Sequence, residues 1–246
     1  MLESARLKFW HLGIGRIPAN NSLVWDGEDH AAPQLGVRRS YQLSMKLERK
    51  SIMAKLLSSK RIAIIVAHEF EDIELLYPIL RLSEEGAQIL VVPVSLGFHP
   101  RPWMENKPVT GRFGHPVPIP VMPPGPRYEI ATIETLRPEE IDCLLLPGGF
   151  SPDYLRRDPA TLHLVRECHR CGKLLAAICH APWILISAGV VAGRRATGVV
   201  AVRDDLNNAG AEYIDLPIVR DGNLVTSRTP NDLPDFCREI INALSE

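Results

Sequence analysis

From Arg61 onward the chain alternates between short, unbroken apolar runs and longer stretches of helical spacing. "RIAIIVA" (61–67), "QILVVPV" (88–94), "IDCLLLP" (141–147) and "KLLAAIC" (173–179) read as strands buried on both faces, because no polar residue interrupts them on either side. "EDIELLYPILRLSEEGA" (71–87) reads as a helix with Ile73, Leu76, Leu80 and Leu82 inward, Pro78 inside it and Gly86 at its end. "PATLHLVRECHRCG" (159–172), "HAPWILISAGV" (180–190) and "RDDLNNAGA" (203–211) follow as helices. "LPIVRDGNLVTS" (216–227) is a hairpin about Asp221 and Gly222. The last helix is expected to start from Thr229 as cap, with Pro230 in its first turn. Strands alternating with helices predict an α/β fold with a mostly parallel sheet covered on both faces.

Two stretches break the rhythm. Ten of the 21 prolines fall between Pro93 and Pro126, which predicts loops with short edge strands near 108–121. Residues 1–60 carry ten Lys and Arg against five Asp and Glu, with poor periodicity apart from a short helix near 41–57. They read as a disordered basic tail. A transit peptide fits less well, since Glu3, Asp26, Glu28 and Asp29 are out of place in one. The preferred expectation is that translation starts at Met53, whose "MAKLLSSKRIAIIV" runs straight into the first strand. The expected domain division is therefore 1–60 as an extension and 61–246 as the folded domain, with a Pro-rich insertion at about 96–128.

Composition narrows the function classes. A net charge of −1 gives no reason to expect nucleic acid or an acidic membrane surface. No apolar run has the ~18 residues of a transmembrane helix. Five cysteines, an odd number confined to the second half, suit a reducing cytoplasm better than a disulfide framework. Cys168 and Cys171 form a CxxC, but no second ligand pair accompanies it and it falls within a helix, so neither a metal nor a cofactor is expected. Cys143 and Cys237 read as core, and Arg194 and Arg195 as a solvated turn. His99 and His115 show no metal spacing. His68 sits at the edge of the first strand's end, as a substrate contact or a surface residue.

The candidate chemistry lies where strand meets helix at "AAICHAPWIL" (176–185). A side chain at such a turn is lifted clear of the sheet, and the first N–H groups of the following helix point at it. Those donors favour a thiolate at Cys179 and hold an oxyanion once sulfur has attacked a carbonyl. His180 supplies a base if its ring turns back. The plainer reading of this decapeptide is a buried strand-end cysteine beside a capping histidine. Two other strand ends favour the catalytic one. "HEFEDIE" (68–74) brings Glu71, expected to be a buried, protonated carboxyl beside the sulfur. "LPGGFSPDYLRRDP" (146–159) brings Gly148 and Gly149, which admit a close backbone approach, and Asp153, an acid to orient an imidazole.

Taken with "DDLNNAGAEYID" (204–215) and "DGNLVTSRTPNDLPDFC" (221–237), these stretches resemble the PfpI family of the ThiJ/PfpI superfamily, over about residues 61–245. The resemblance implies a flavodoxin-like three-layer sandwich related to class I glutamine amidotransferases. It implies Cys179 as nucleophile, His180 as its partner and Glu71 as the carboxyl beside sulfur. Gly149 and His180 then supply oxyanion amides, with Gly148 and Ala181 in the same pocket. Asp153 stands where the family's acid acts, often across a subunit boundary, so a homodimer or larger homo-oligomer is expected. Two departures stand out. The family's "CHGP" followed by Gln is here Cys-His-Ala-Pro-Trp, so Ala181 and Trp183 reshape the pocket mouth, and the Pro-rich segment is long.

The resulting expectation is a cofactor-free, Cys-dependent enzyme acting on reactive dicarbonyls or their adducts, of the glyoxalase or protein deglycase type, in stress or glycation defence. The alternatives are an intracellular cysteine peptidase and a non-catalytic redox sensor or holdase. An amidotransferase-like hydrolase is disfavoured because no distant downstream His-x-Glu pair is present.

Overall fold

Strand β1 (Arg61–Val66) shows why the apolar runs are continuous. Ile62, Ile64 and Val66 enter one core, and Ala63, Ile65 and Ala67 enter a second core on the opposite face. A strand with helices on both sides has no solvent face, so period-two alternation disappears. The computed structural model describes residues 55–96 and 107–246. The readings of the N-terminal tail, its start at Met53, and His99 lie outside the described residues.

Along the chain, α1 (Asp72–Glu84) and β2 (Gln88–Pro93) follow β1. After the Pro-rich segment come β3 (Glu129–Ile130), β4 (Cys143–Leu146), α2 (Ser151–Leu155) and α3 (Pro159–Arg170). Then come β5 (Leu174–Ile178), α4 (Pro182–Ala188), β6 (Arg195–Ala196), α5 (Arg203–Asn208) and β7 (Glu212–Tyr213). The hairpin β8 (Ile218–Asp221) and β9 (Leu224–Ser227) leads into α6 (Leu233–Ser245). Seven strands form one sheet in the order β3-β2-β1-β4-β5-β9-β8, parallel throughout except for β8 against β9. Helices α1 and α6 cover one face, through Leu75, Ile79, Leu82, Phe236 and Ile240. Helices α3 and α4 cover the other, through Leu164, Val165, Ile184 and Leu185. This is the expected three-layer α/β sandwich.

Several local readings are corrected. Ile73 and Leu80 of α1 are about half exposed, at 48% and 50%. The inward stripe is Leu75, Pro78, Ile79 and Leu82, of which Leu82 was expected, and it carries Glu74 with it. Thr229 accepts no capping bond from the backbone N–H groups that follow it. A 3-10 turn over Pro230–Asp232 intervenes before that helix begins. The edge strands expected near 108–121 reduce to one isolated bridge between Thr110 and Pro116. Cys143, Cys168 and Cys237 are fully buried, and all five cysteines are free. Arg194 is not merely solvated: it pairs with Asp221 at 3.6 Å and braces the β8–β9 turn.

Phe236 lies wholly buried where α6 meets the sheet. Phe236→Ala is expected to lower the free energy of unfolding by about 3–5 kcal/mol, because the cavity collapses only in part. Urea denaturation of the full chain reads this directly; a loss below about 1 kcal/mol would mean the two layers repack freely there.

Candidate active site

The carboxyl ends of β1, β4 and β5 lie side by side in the sheet, and the expected site residues follow those strands. Cys179 directly follows β5 and adopts φ 63°, in the left-handed region that non-glycine residues avoid. Such a residue costs about 1–3 kcal/mol and persists only where its surroundings hold it. Here the Cys179 N–H donates to Ser227 O at 3.1 Å, and Cys179 O accepts from the Val199 N–H at 3.0 Å. The turn sends the chain at once into α4, so the sulfur stands at the sheet's edge while the residue is only 8% exposed.

His180 does turn back. Its Nδ1 lies 3.3 Å from Cys179 Sγ. Burial lowers the imidazole's pKa, and the nearby Arg112 charge lowers it further, so the ring is a neutral base at neutral pH. The backbone N–H groups of Gly149 and His180 both donate toward the sulfur. One comes from the loop after β4 and the other from the turn after β5. The other two expected pocket residues are differently engaged. The Gly148 N–H donates to Glu74 Oε2 at 2.6 Å, and the Ala181 N–H to Ile178 O at 3.0 Å. Ala181 is also fully buried, so it shapes the pocket from behind rather than facing a ligand.

Both glycines are sterically required. A Cβ on Gly148 would come within 2.6 Å of Cys179 Cβ and 3.0 Å of the His180 nitrogen. Gly149 has φ +72°, and a Cβ there would meet Glu69 O at 2.4 Å. The Gly149 amide is aimed by a short cross-link between two loops. Phe150 N–H donates to Glu69 O at 2.9 Å and Glu71 N–H to Gly148 O at 3.3 Å, around an isolated bridge between Phe70 and Gly149.

The buried carboxyl beside the sulfur is Glu74, not Glu71. Glu74 is wholly inaccessible and interacts with the Cys179 side chain. Burial raises its pKa to about 8 against the opposing pull of the Gly148 N–H, and the Glu71 charge adds to the rise. Its Oε1 is buried with no hydrogen-bond partner, so the ionised form has no donor there to offset its lost hydration. Glu71 lies one helical turn earlier, at the N-cap of α1, where its Oε2 pairs with Arg112 Nη1 at 3.2 Å. Two glutamates three residues apart share a helix face, so spacing alone leaves both as candidates. The missed signal is that Glu74 stands four residues before Pro78, on the inward stripe.

The Cys179 thiol and Glu74 titrate as a pair. Burial, and then the charge of an ionised Glu74, push the thiol up to about 12, while the Gly149 and His180 N–H groups pull it down. Protonating Glu74 removes that charge from beside the sulfur. The resting site is therefore a thiol next to a neutral imidazole.

Arg112 was not foreseen. Its loop is pinned to Asp72, whose carboxylate accepts the Phe113 N–H at 2.9 Å and the His115 N–H at 3.1 Å. His115 Nδ1 lies 2.7 Å from the same carboxylate, so His115 is a loop anchor. His68 is not a surface residue: it is 7% exposed, and its Nδ1 accepts the Thr110 N–H at 3.3 Å. Asp153 is not brought to His180 within this chain. Its half-exposed carboxylate pairs with Arg157 at 3.2 Å, and among the described residues no hydrogen bond joins it to His180. Among the described residues no group of three or more His, Cys, Asp and Glu is arranged to hold a metal ion. Within the CxxC, Cys168 is buried and Cys171 is exposed.

Glu74 ties stability to pH. Its pKa is higher folded than unfolded, so between about 4.5 and about 8 the folded state holds the extra proton. Its contribution is then fully present below 4.5 and lost as pH rises through 8. Glu74→Gln is thus expected to gain stability relative to the parent as pH rises from 4.5 to 9. Thermal or urea unfolding across that range tests this, and a pH-independent difference would contradict it.

The chain matches the model of the DJ-1/PfpI family over residues 60–243. It is 39% identical over 184 residues to the protein named Deglycase PfpI of Pyrococcus furiosus, covering 75% of this chain and 99% of that one. A protein of Archaeoglobus fulgidus is 41% identical over 75% of this chain and 98% of its own length. Among solved structures, Drosophila melanogaster DJ-1beta superposes with a TM-score of 0.64 at 25% identity, covering 76% of this chain and 91% of that one. A two-domain protein of Anabaena variabilis with DJ-1/ThiJ/PfpI-like and ferritin-like domains has the same TM-score at 34% identity, covering 76% and 48%. Fold, site geometry and these likenesses agree, and the chain belongs to the DJ-1/PfpI family.

Proposed function

We propose that the chain is a cofactor-free, Cys179-dependent enzyme for reactive α-dicarbonyls and their early adducts on amines. The observation that carries this reading is the set around one sulfur: a base at 3.3 Å, two N–H donors and a protonated carboxyl. The Pyrococcus relative's name, a deglycase, supports the substrate class. So does an 8% exposed Cys179, which suits a two- or three-carbon aldehyde better than an extended peptide.

With methylglyoxal the steps balance without an external oxidant or reductant. Sγ bonds to the aldehyde carbon as the thiol proton passes to His180 Nδ1, and the oxyanion is held by the Gly149 and His180 N–H groups. Return of the proton gives a hemithioacetal. His180 then moves the C1 proton to C2 by way of an enediol, leaving a thioester. Water adds at that carbonyl, the Cys179–carbon bond breaks, and lactate leaves with the thiol restored. Glu74 stays protonated throughout and keeps negative charge away from the sulfur. Asp153 has the exposure needed to serve a neighbouring copy, and a cytoplasmic homo-oligomer completes the proposal. Among the described residues no helix is long and apolar enough to cross a membrane.

The purified full chain with methylglyoxal and no glutathione is expected to form lactate. Cys179→Ala should fall to the uncatalysed rate, and His180→Ala should lose about two to four orders of magnitude. No lactate from the parent, with Cys179 converted selectively to the sulfinic acid by mild peroxide, would instead support a redox sensor. Peptide cleavage without dicarbonyl turnover would support the peptidase reading. The rate should fall on the acid side only below the ordinary histidine value of 6.5, because His180 is shifted down, and on the alkaline side near 8 as Glu74 ionises. Glu74→Gln is expected to move the alkaline fall upward; an unmoved limb would remove Glu74 from this role.

A further inference from the structure

His180 faces Cys179 although neighbouring residues in a chain commonly point apart, and something must hold its ring there. Trp183 lies three residues on, in the first turn of α4, and its N–H donates to His180 O at 3.1 Å across the turn that leads into that helix. Their ring centroids are 5.0 Å apart at an interplanar angle of 50°, within the range of favourable tilted aromatic pairs.

The indole is itself held from separate elements. Its Nε1–H donates to Asp205 Oδ2 of α5 at 2.7 Å. On another side, Arg156, just after α2, places its guanidinium carbon 5.6 Å from the indole centroid. That arginine is fixed in turn, because its Nε–H donates to Ser187 Oγ, one turn beyond Trp183 on α4, at 3.0 Å. A bulky side chain at a helix start does not need three restraints to pack. The restraints limit rotation of the indole, and the indole limits rotation of the imidazole against it.

We propose that Trp183, clamped by Asp205 and Arg156, is a positioning residue that keeps His180 Nδ1 directed at Cys179 Sγ. This rests on the proposed role of His180 as base. The arrangement supplies within one chain an orienting function for the histidine, while Asp153 of that chain is turned to Arg157. For Nδ1 to take the thiol proton, the imidazole carries its own proton on Nε2, and a ring flip would remove the acceptor from the sulfur. A fixed indole blocks that flip.

The test compares the parent with Trp183→Leu, Trp183→Phe and Asp205→Ala. Two quantities are read: kcat and KM on methylglyoxal, and the iodoacetamide alkylation rate of Cys179 at neutral pH. Alkylation is followed on the Cys179 peptide by mass spectrometry, so that exposed Cys171 does not contribute. Trp183→Leu is expected to lower both kcat and the alkylation rate by about ten- to a hundredfold with KM changed less than about twofold. Trp183→Phe keeps a ring against the imidazole and should recover most of the loss. Asp205→Ala removes an exposed carboxylate, leaves the core intact and should show a smaller loss of the same kind, so the proposal is testable even if Trp183→Leu folds poorly. A raised KM with kcat and alkylation unchanged would make Trp183 a substrate platform and overturn the proposal. Equal alkylation rates in parent, Trp183→Phe and Asp205→Ala, with Trp183→Leu also equal or unfolded, would overturn it as well. If no variant, the parent included, turns over a dicarbonyl but the alkylation rates fall in the stated order, the proposed function fails and the positioning role stands.

Discussion

The backbone of Cys179 is the constraint on which the site depends. A left-handed conformation at the end of a buried parallel strand places the thiol, two N–H donors and the start of α4 around one point. It is tolerated because β9 and the segment leading into α5 bond to both sides of the peptide unit, through Ser227 and Val199. The seven-stranded sheet and its two cores are, from this point of view, the frame that holds one strained residue. The same logic explains Gly148: with any side chain, β4's loop could not approach the cysteine closely enough to close the pocket.

Electrostatics then divide the labour between two carboxyls and a histidine. Glu74, sealed beneath Gly148, keeps its proton because charge there would be both buried and next to sulfur. Glu71, at the helix start, meets a guanidinium. Burial first, and then the Arg112 charge that answers Glu71, discourage protonation of His180. Asp72 pins the Arg112 loop through two backbone N–H groups and His115, so that charge is held near Glu71 and His180 while burial sets the main direction of each shift. Neighbours set these states more than the intrinsic chemistry of each residue does.

A good part of this was legible in advance. Continuous apolar runs between helical stretches are enough to call for a parallel sheet covered on both faces, because only that setting buries both sides of a strand. A Cys-His pair at a strand–helix turn, with Gly-Gly and an acidic stretch at neighbouring strand ends, pointed to one pocket. The misreadings share a cause. Glu71 against Glu74, and Ile73 and Leu80 against Leu75 and Ile79, are errors of phase along a single helix. The inward residues of that helix are set by its packing on the sheet, and Pro78 is itself one of them.

Residue types at short, local spacings were enough for the layer architecture, the strand-end Cys-His pair and the family. Three-dimensional packing was needed to show which glutamate lies beside the sulfur, that His180 turns back, that Ala181 spends its amide within the turn, and that Arg112 meets Glu71 and Trp183 meets His180. Each of those facts depends on a contact between segments or on a side-chain direction. Neither has a local signature, because the energy that selects them comes from burial and charge shared across elements distant in the chain.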